Sequence, residues 1–583
     1  MKVKVARTAG FCMGVRKALE AVLAATTEAS ATKETVYTYG PLIHNNQVLE
    51  VLEARGVRCL EELDGTDSGR IAIRAHGIPP QERRIIKEKG LKILDATCPR
   101  VAKVQGIIKK HALRGYEVVI VGDDNHAEVL GLKGFSNNRA HVVSKMEDVQ
   151  TLPPMERVLV VAQTTQDEAI FNEIVEVLQK RFPEVIVRNT ICDSTHNRQQ
   201  EVRSLSKEVE AMVVVGGRHS ANTRRLADIA MASGVPTFHV ETADELDRKK
   251  LSAFRVVGVT AGASTPNWLI SRVVRQLETI EPETAHPLPR ILRRFFRFLM
   301  ESNLYVAGGA CCLGYATAVL EGVKPRGLAA AITFLYVFAM HVLNRYTDRA
   351  AHLNDPARAG FYERHLIPFA VAGIVSVLLA VGCAALMGLE VLFALVVMIA
   401  LGLLYSIRIV PEIWLSAVRV SKLKDIPASK TVFVAGAWSA VIALLPKLYG
   451  GLHVRLSTIC LLLVVFVLVF VRSAIFDLVD IQGDRFVGEE TVPVVIGEKR
   501  TIKLLLHLIL LMAILLTVLP LYGLFTFFSY LMLASCAYAI FCVYTYNRKL
   551  MRPDSLAFEA LVESNFYFAG ILALLYQVLA ARL

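Results

Sequence analysis

The feature that most constrains this chain is a change of character near residue 289. Up to about Pro289 the sequence is mixed and charge-rich, and from Phe295 on it is dominated by long apolar runs. A helix needs about twenty apolar residues to cross a bilayer, and run after run here has that length. No single soluble globule accommodates both halves. The averages over 583 residues, 54% hydrophobic, 20% charged and a mean hydropathy of +0.44, therefore describe neither half. The apolar content and the absence of biased tracts exclude disorder and fibrous repeats. The expected organisation is an α/β unit over 1–280, a linker with a basic segment over 281–300, and an all-α membrane bundle over 301–583.

The net charge of +12 comes from 65 Lys and Arg against 53 Asp and Glu. Nucleic-acid binding requires a basic stripe on a soluble face. Many of these cations sit instead between apolar runs, the pattern of cytosolic loops in a membrane protein, so no nucleic-acid partner is expected. Six of the ten cysteines, Cys311, Cys312, Cys383, Cys460, Cys536 and Cys542, lie in apolar segments and read as small buried hydrophobes. Cys12, Cys59, Cys98 and Cys192 lie in the first half. Met1 to Glu20 lacks an apolar core of signal type, so this half is expected in the cytosol. Structural disulfides are rare there, and cysteines in special contexts point to metal or catalysis.

In the first half, short β-branched runs at Val118–Val121, Val158–Val161, Met212–Val215 and Val256–Thr260 are each followed by a Gly- or Ser-containing turn and a helix-like stretch. That alternation predicts α/β units with parallel sheets. Cys12, in Gly10-Phe11-Cys12-Met13-Gly14, Cys98, in Asp95-Ala96-Thr97-Cys98-Pro99, and Cys192, in Thr190-Ile191-Cys192-Asp193, each stand directly before a helix, at near-equal intervals. Three similar lobes around one centre would each offer a thiol, with the helix N-terminus favouring the thiolate. A structural zinc site is usually closed by four ligands with local CxxC pairs, and none is present. Three thiolates on a 4Fe–4S cluster would leave one iron open. Three unrelated thiols are the plainer alternative.

Polar turns accompany them: His44 after Gly40-Pro41, His76 in Ala75-His76-Gly77, His126 and Glu128 after Asp123-Asp124-Asn125, Thr164 and Thr165 after a strand, Ser220 and Asn222 after Gly216-Gly217, and Ser264 after Ala261-Gly262-Ala263. Turns after strands concentrate sites. The last two turns aim N–H groups and hydroxyls at one spot, an anion site, and histidines can add charge there.

These motifs, together with Ile191-Cys192 followed by Asn197-Arg198-Gln199, resemble the LytB/IspH family of 4-hydroxy-3-methylbut-2-enyl diphosphate reductases over roughly Met1 to Leu277. The resemblance implies that Cys12, Cys98 and Cys192 bind a 4Fe–4S cluster. It implies that Glu128 relays a proton with Thr164 helping to orient it, and that His44, His76, His126, Ser220, Asn222 and Ser264 hold the diphosphate. It also implies an external electron donor such as ferredoxin or flavodoxin, and products isopentenyl and dimethylallyl diphosphate. Ala221 departs from the family, which commonly has a second Ser there. Cys59 matches no family motif and reads as structural.

Pro282, Pro287 and Pro289 mark a boundary. The basic, aromatic stretch Arg290 to Arg297 after it resembles an interfacial helix on an anionic leaflet, and membrane lipids are expected partners. Candidate spans start near Leu304, Leu328, Ile367, Leu389, Thr431, Leu456, Leu504, Thr526 and Asn565, about nine helices. Arg345, Arg349, Arg358 and Arg364, then Arg408, Lys422, Lys424 and Lys430, and further clusters on later loops, predict that those loops and the N-terminus lie on the cytosolic side of a bacterial cytoplasmic membrane.

Asp477, Asp480 and Asp484 fall at i, i+3 and i+7, one face of a helix. Three carboxylates there call for a cation, and Mg²⁺ bridging to a diphosphate suits hard oxygen ligands. With Asn344-Arg345-Tyr346-Thr347-Asp348 and Thr491 to Gly497, this half resembles the UbiA superfamily of intramembrane prenyltransferases. The resemblance implies that Asp477, Asp480, Asp484, Asn344 and Asp348 serve Mg²⁺ and a prenyl diphosphate. Arg345 and His352 replace two carboxylates of the usual first motif. Lys424, Asp425 and Lys430 are weaker candidates for a loop closing on diphosphate. The combined reading is a fusion of reductase and prenyltransferase, both acting on isoprenoid diphosphates. The alternative makes the second half an inactive membrane anchor or lipid-binding scaffold.

Overall fold

The computed structural model describes residues 1–32, 34–63, 68–280, 287–347, 356–406, 426, 428–449 and 455–581. The chain divides into two compact units, Met1–Thr284 and Ala285–Leu583.

The first unit holds twelve strands: β1 (Lys2–Val5), β2 (Val36–Tyr39), β3 (Val57–Leu60), β4 (Arg70–Ile73), β5 (Lys92–Asp95), β6 (Glu117–Val121), β7 (Ala140–Val143), β8 (Arg157–Ala162), β9 (Glu184–Arg188), β10 (Ala211–Val215), β11 (Thr237–Val240) and β12 (Val256–Ala261). They form three four-stranded sheets of order β3-β2-β4-β5, β7-β6-β8-β9 and β11-β10-β12-β1. Every pairing is parallel, for example Val36 with Val57 and Met212 with Gly258. Both faces of such sheets are covered by helices, which is why β6, β8 and β10 read as unbroken apolar runs; Val118, Val160 and Val213 are fully buried.

The three sheets repeat one topology. In each, the second strand flanks the first on one side, and the third and fourth follow on the other. The sheet of β10, β11 and β12 takes its fourth strand from the chain start, where β1 pairs with β12 from Lys2↔Val256 to Val5↔Val259. The N-terminal amine of Met1 also donates to Ile280 O at 2.8 Å. In parallel α/β sheets, sites form beyond the carboxyl ends of the strands. The triple repeat therefore supplies three sets of equivalent turns.

The second unit is helical. Among its described residues, seven helices are long and apolar enough to cross a membrane: Gly327–Tyr346, Leu366–Met387, Ser429–Leu448, Leu456–Val487, Glu498–Tyr522, Phe528–Asn547 and Leu556–Ala580. The pair Ile291–Glu301 and Leu304–Leu320, bent by 72°, makes an eighth if taken as one span. The sequence expectation of about nine counted Leu304 and Leu389 as starts of full spans. Leu304–Leu320 covers 17 residues, about 25 Å at 1.5 Å per residue, short of a hydrocarbon core of about 30 Å. Leu389–Leu403 is likewise a shorter apolar helix. The last helix starts at Leu556 rather than near Asn565 because Glu559 and Glu563 interrupt the apolar pattern. Both carboxylates are nonetheless paired inside the bundle, Glu559 with Arg358 and Glu563 with Arg472, as intramembrane charges usually are.

The basic stretch forms the helix Pro287–Glu301, with Ile291, Leu292, Phe295, Phe296 and Phe298 exposed. Asp348, Arg349, His352, Arg408, Lys422, Lys424 and Asp425 lie outside the described residues.

Candidate active site

Cys12, Cys98 and Cys192 follow β1, β5 and β9, the fourth and edge strand of each sheet. Cys98 and Cys192 are the N-cap residues of the helices Pro99–Ala112 and Asp193–Ser206, and Cys12 directly precedes Met13–Thr32. The Val15 N–H donates to Cys12 Sγ at 3.5 Å. Such N–H groups favour a thiolate, but burial outweighs them at Cys98 and pushes its thiol up. All three cysteines line one cavity of about 110 Å³. A Cβ built on Gly14 would lie 2.6 Å from Cys98 Sγ and 3.9 Å from Cys12 Sγ, so glycine is what leaves the sulfurs room. Three cysteines on one cavity, with no side chain at Gly14 between two of them, make a soft thiolate donor set that fits an iron–sulfur group.

The same cavity is lined by His44, His76, His126, Glu128, Thr164, Ser220, Asn222 and Ser264, so every residue the sequence selected in this half converges on one place. Turns after the first strands β2, β6 and β10 bring His44, His126 and Ser220. Turns after the third strands β4, β8 and β12 bring His76, Thr164 and Ser264.

Glu128 is 2% exposed. Thr164 donates to it twice, from its backbone N–H to Oε1 at 2.7 Å and from its hydroxyl to Oε2 at 2.8 Å. Those donors favour the carboxylate, but desolvation dominates and raises its pKa. A buried acid placed this way keeps a proton at a higher pH than a free glutamate.

The histidine rings form a triangle with centroid separations of 4.9, 5.9 and 5.3 Å. Burial lowers the pKa of all three, His126 to about 4. The backbone N–H of Glu128 donates to His126 Nδ1 at 3.1 Å, which leaves the proton of the neutral ring on Nε2. This ring therefore offers a donor, which suits an anion better than a metal. Asn222 Nδ2 is buried without a hydrogen-bond partner, another donor awaiting an acceptor. Ser220 caps the helix Ala221–Ala232 by accepting from Thr223 N, and the Ser264 hydroxyl donates to His44 O at 3.2 Å. A neighbouring cavity of about 340 Å³ shares His44 and His126 and adds Arg74, His219 and Arg224. Sequence reasoning missed these side chains because isolated arginines and histidines carry no pattern of their own.

Arg225 was also missed. Its guanidinium donates to Thr165 O at 2.6 Å and to Asp123 Oδ1 at 3.2 Å. It thereby joins the helix after β10 to the turns after β6 and β8 that hold Glu128 and Thr164.

In the second unit, Asp477, Asp480 and Asp484 lie on the helix Leu456–Val487, as the spacing predicted. Asp477 and Asp484 are buried. Thr431 Oγ1 donates to Asp477 Oδ2 at 2.5 Å, and Thr491 Oγ1 to Asp484 Oδ2 at 3.0 Å. Asp477, Asp480, Glu489 and Lys430 all act electrostatically on Asp484, and Lys430 Nζ lies 3.1 Å from Glu489 Oε2. Several carboxylates facing one cation make a donor set that fits hard divalent ions. Asn344 lies near the end of Gly327–Thr347, and Asp348 is outside the described residues.

Comparison with known proteins divides the chain the same way. The LytB protein family matches residues 3–278, and the UbiA prenyltransferase family matches residues 306–569. The 4-hydroxy-3-methylbut-2-enyl diphosphate reductase of Alkaliphilus oremlandii is 40% identical over 281 residues, covering 48% of this chain and 100% of the relative. A solved structure of an (E)-4-hydroxy-3-methyl-but-2-enyl diphosphate reductase is 40% identical, with a TM-score of 0.39, covering 48% of this chain and 100% of its own. A solved UbiA homolog from Archaeoglobus fulgidus, bound to GPP and Mg²⁺, is 17% identical with a TM-score of 0.37, covering 49% of this chain and 99% of its own. A three-lobed parallel α/β unit joined to a bundle of apolar helices thus carries two family signatures in tandem. The chain belongs to the LytB family through its first unit, fused to a second unit that the UbiA prenyltransferase family model matches.

Proposed function

We propose that the first unit reduces 4-hydroxy-3-methylbut-2-enyl diphosphate to isopentenyl and dimethylallyl diphosphate. Two electrons and two protons are consumed, the allylic C–O bond breaks, and the oxygen leaves as water. The observation that carries this reading is the convergence of three helix-start cysteines, a buried acid and three histidines on one cavity. Cys12, Cys98 and Cys192 would hold a 4Fe–4S cluster, which when bound would relay the electrons and serve as a Lewis acid. His126, through its Nε2–H, and Asn222, through its unpartnered Nδ2, donate to diphosphate oxygens, with His44, His76, Ser220 and Ser264 completing the shell. Glu128 holds the proton that the leaving oxygen takes, and Thr164 fixes the direction of its carboxyl. The electrons come from an external carrier such as ferredoxin or flavodoxin.

For the second unit we propose Mg²⁺-dependent transfer of a prenyl group from a polyprenyl diphosphate to a lipid-pathway acceptor. The support is the register of Asp477, Asp480 and Asp484, two of them fixed by threonine hydroxyls. With Asn344 and Asp348 they would hold Mg²⁺, which when bound neutralises the departing diphosphate. Arg345, standing where the family's first motif usually has a carboxylate, favours a second reading, in which this unit is an inactive anchor. We propose further that the chain resides in a bacterial cytoplasmic membrane with its first unit in the cytoplasm, a reading supported by the cation-rich segments between its apolar runs.

Anaerobic purification and assay test the reductase. A brown protein that turns over this diphosphate is expected, and a colourless protein from cluster-competent cells overturns the reading. Membranes assayed for prenyl transfer with and without Mg²⁺ test the second unit, with Asp480→Asn as control. Transfer that is absent, or that survives Asp480→Asn, supports the anchor.

A further inference from the structure

Arg198 lies six residues after Cys192, on the helix Asp193–Ser206, and is 4% exposed. Its guanidinium reaches across to two other turns of the site. Nη2 donates to Gly10 O at 2.6 Å and Nη1 to Ala261 O at 3.1 Å, while Nε is buried without a hydrogen-bond partner. Gly10 stands two residues before Cys12, and Ala261 opens the turn whose Ala263 O accepts from the Cys12 N–H at 3.1 Å. One buried side chain thus ties the turns of Cys12 and Ser264 to the helix that Cys192 starts.

Two carbonyl dipoles do not neutralise a guanidinium. Arginine stays charged in proteins, and a buried charge without an anion is strongly unfavourable. Among the described residues no carboxylate forms a salt bridge with Arg198. Glu201, one helical turn on, has both oxygens committed elsewhere. They accept from Arg7 N at 2.7 Å, Thr8 N at 2.9 Å and Thr8 Oγ1 at 2.5 Å. The other anion-forming groups acting on the guanidinium are Cys12 and Cys192. Metal-bound cysteines are thiolates, so a loaded centre adds negative charge to that which Glu201 already exerts on Arg198.

We propose that Arg198 is the fixed counter-cation of the three-cysteine centre: a positioning residue that retains the centre and raises its reduction potential. This rests on the cluster reading of Cys12, Cys98 and Cys192. Iron–sulfur potentials respond to net charge and to the surrounding shell, and a fixed positive charge favours the more negative, reduced form.

The test uses the full chain purified anaerobically in detergent, as wild type, Arg198→Lys, Arg198→Met and Arg198→Gln. Visible and EPR spectra, iron release to a chelator and a dye-mediated potential titration are read, none of which needs turnover. Arg198→Lys should stay close to wild type. Arg198→Met and Arg198→Gln should hold iron less well. At the wild-type midpoint their ratio of reduced to oxidised centre should fall about tenfold, the scale of one unit charge in a partly buried setting. Loss of the centre in Met and Gln but not in Lys also supports the proposal. An unchanged potential in Met and Gln with the centre retained overturns it. Equal loss of iron in all three variants overturns it too, because shape rather than charge would then be what matters. A wild-type protein with no iron sulfide absorbance fails at the earlier step, the cluster reading itself.

Discussion

Thr164 grips Glu128 at both oxygens, by its backbone N–H at 2.7 Å and its hydroxyl at 2.8 Å. Burial nevertheless raises the carboxyl pKa. A general acid of this kind works while protonated, so kcat should fall as pH rises through the raised pKa. Thr164→Val removes one donor from the carboxylate, and donors favour the charged form. The pKa therefore rises further, and the alkaline limb of the kcat profile should move to higher pH. Glu128→Gln should lower kcat by about a hundredfold or more, with the visible spectrum unchanged. An alkaline limb that does not move in Thr164→Val argues against Glu128 as the acid.

The lowered histidine pKa values make a separate prediction. His126 falls from 6.5 to about 4 through burial, helped by His44, so in the free enzyme it is neutral above about 4. The pH profile of kcat/KM reports ionisations of the free enzyme. It should show no histidine step near 6.5. His126→Phe keeps a ring but removes the Nε2–H donor, and should raise KM about tenfold, in line with loss of a hydrogen bond to a charged group. A wild-type step near 6.5 that disappears in His126→Phe would mean that the imidazolium binds the diphosphate.

Gly14 is a steric test of the three-cysteine centre. In Gly14→Ala the new Cβ would lie 2.6 Å from Cys98 Sγ and 3.1 Å from Cys98 Cβ. Cys98 is held as the N-cap of Pro99–Ala112 and by its N–H to Ala75 O at 3.0 Å, so it cannot simply retreat. The variant should fold, since alanine suits a helix, but should carry well under half the wild-type iron. Full iron content in Gly14→Ala would mean that Cys98 is not a ligand.

Much of the first unit was legible because its topology repeats. Cys12, Cys98 and Cys192 occupy equivalent turns after a fourth strand, and the sequence showed this as three helix-start cysteines at near-equal spacing. What it concealed is that β1 completes the sheet of β10 to β12, since pairing between chain ends leaves no local pattern. Arg198 and Arg225 have no role legible in the sequence, because a buried arginine bonded to distant carbonyls looks like any helix cation. In the second unit the Asp477, Asp480 and Asp484 register was readable from helix periodicity. Thr431 and Thr491 were not read as partners, since one lies on a different helix and the other beyond a turn. The start of the last span was misplaced for a similar reason. Glu559 and Glu563 break an apolar window, and only their pairing with Arg358 and Arg472 lets them sit inside the bundle.

Those threonine bonds separate catalysis from mere anchoring. If the carboxylates hold Mg²⁺, their direction matters as well as their charge, because metal ligands depend on the groups that orient them. Asp477→Asn and Asp484→Asn should each lower prenyl transfer about a hundredfold or more. Thr431→Val, which leaves Asp477 in place but frees its Oδ2, should cost about tenfold and raise the Mg²⁺ needed for half-maximal rate. The measurement is radiolabelled prenyl transfer in proteoliposomes across a Mg²⁺ series, with reductase turnover of the same preparations as the folding control. Reductase activity should be unchanged in all three variants. Equal transfer by Asp477→Asn, Asp484→Asn and wild type, at every Mg²⁺ level, would leave the cluster without a catalytic role.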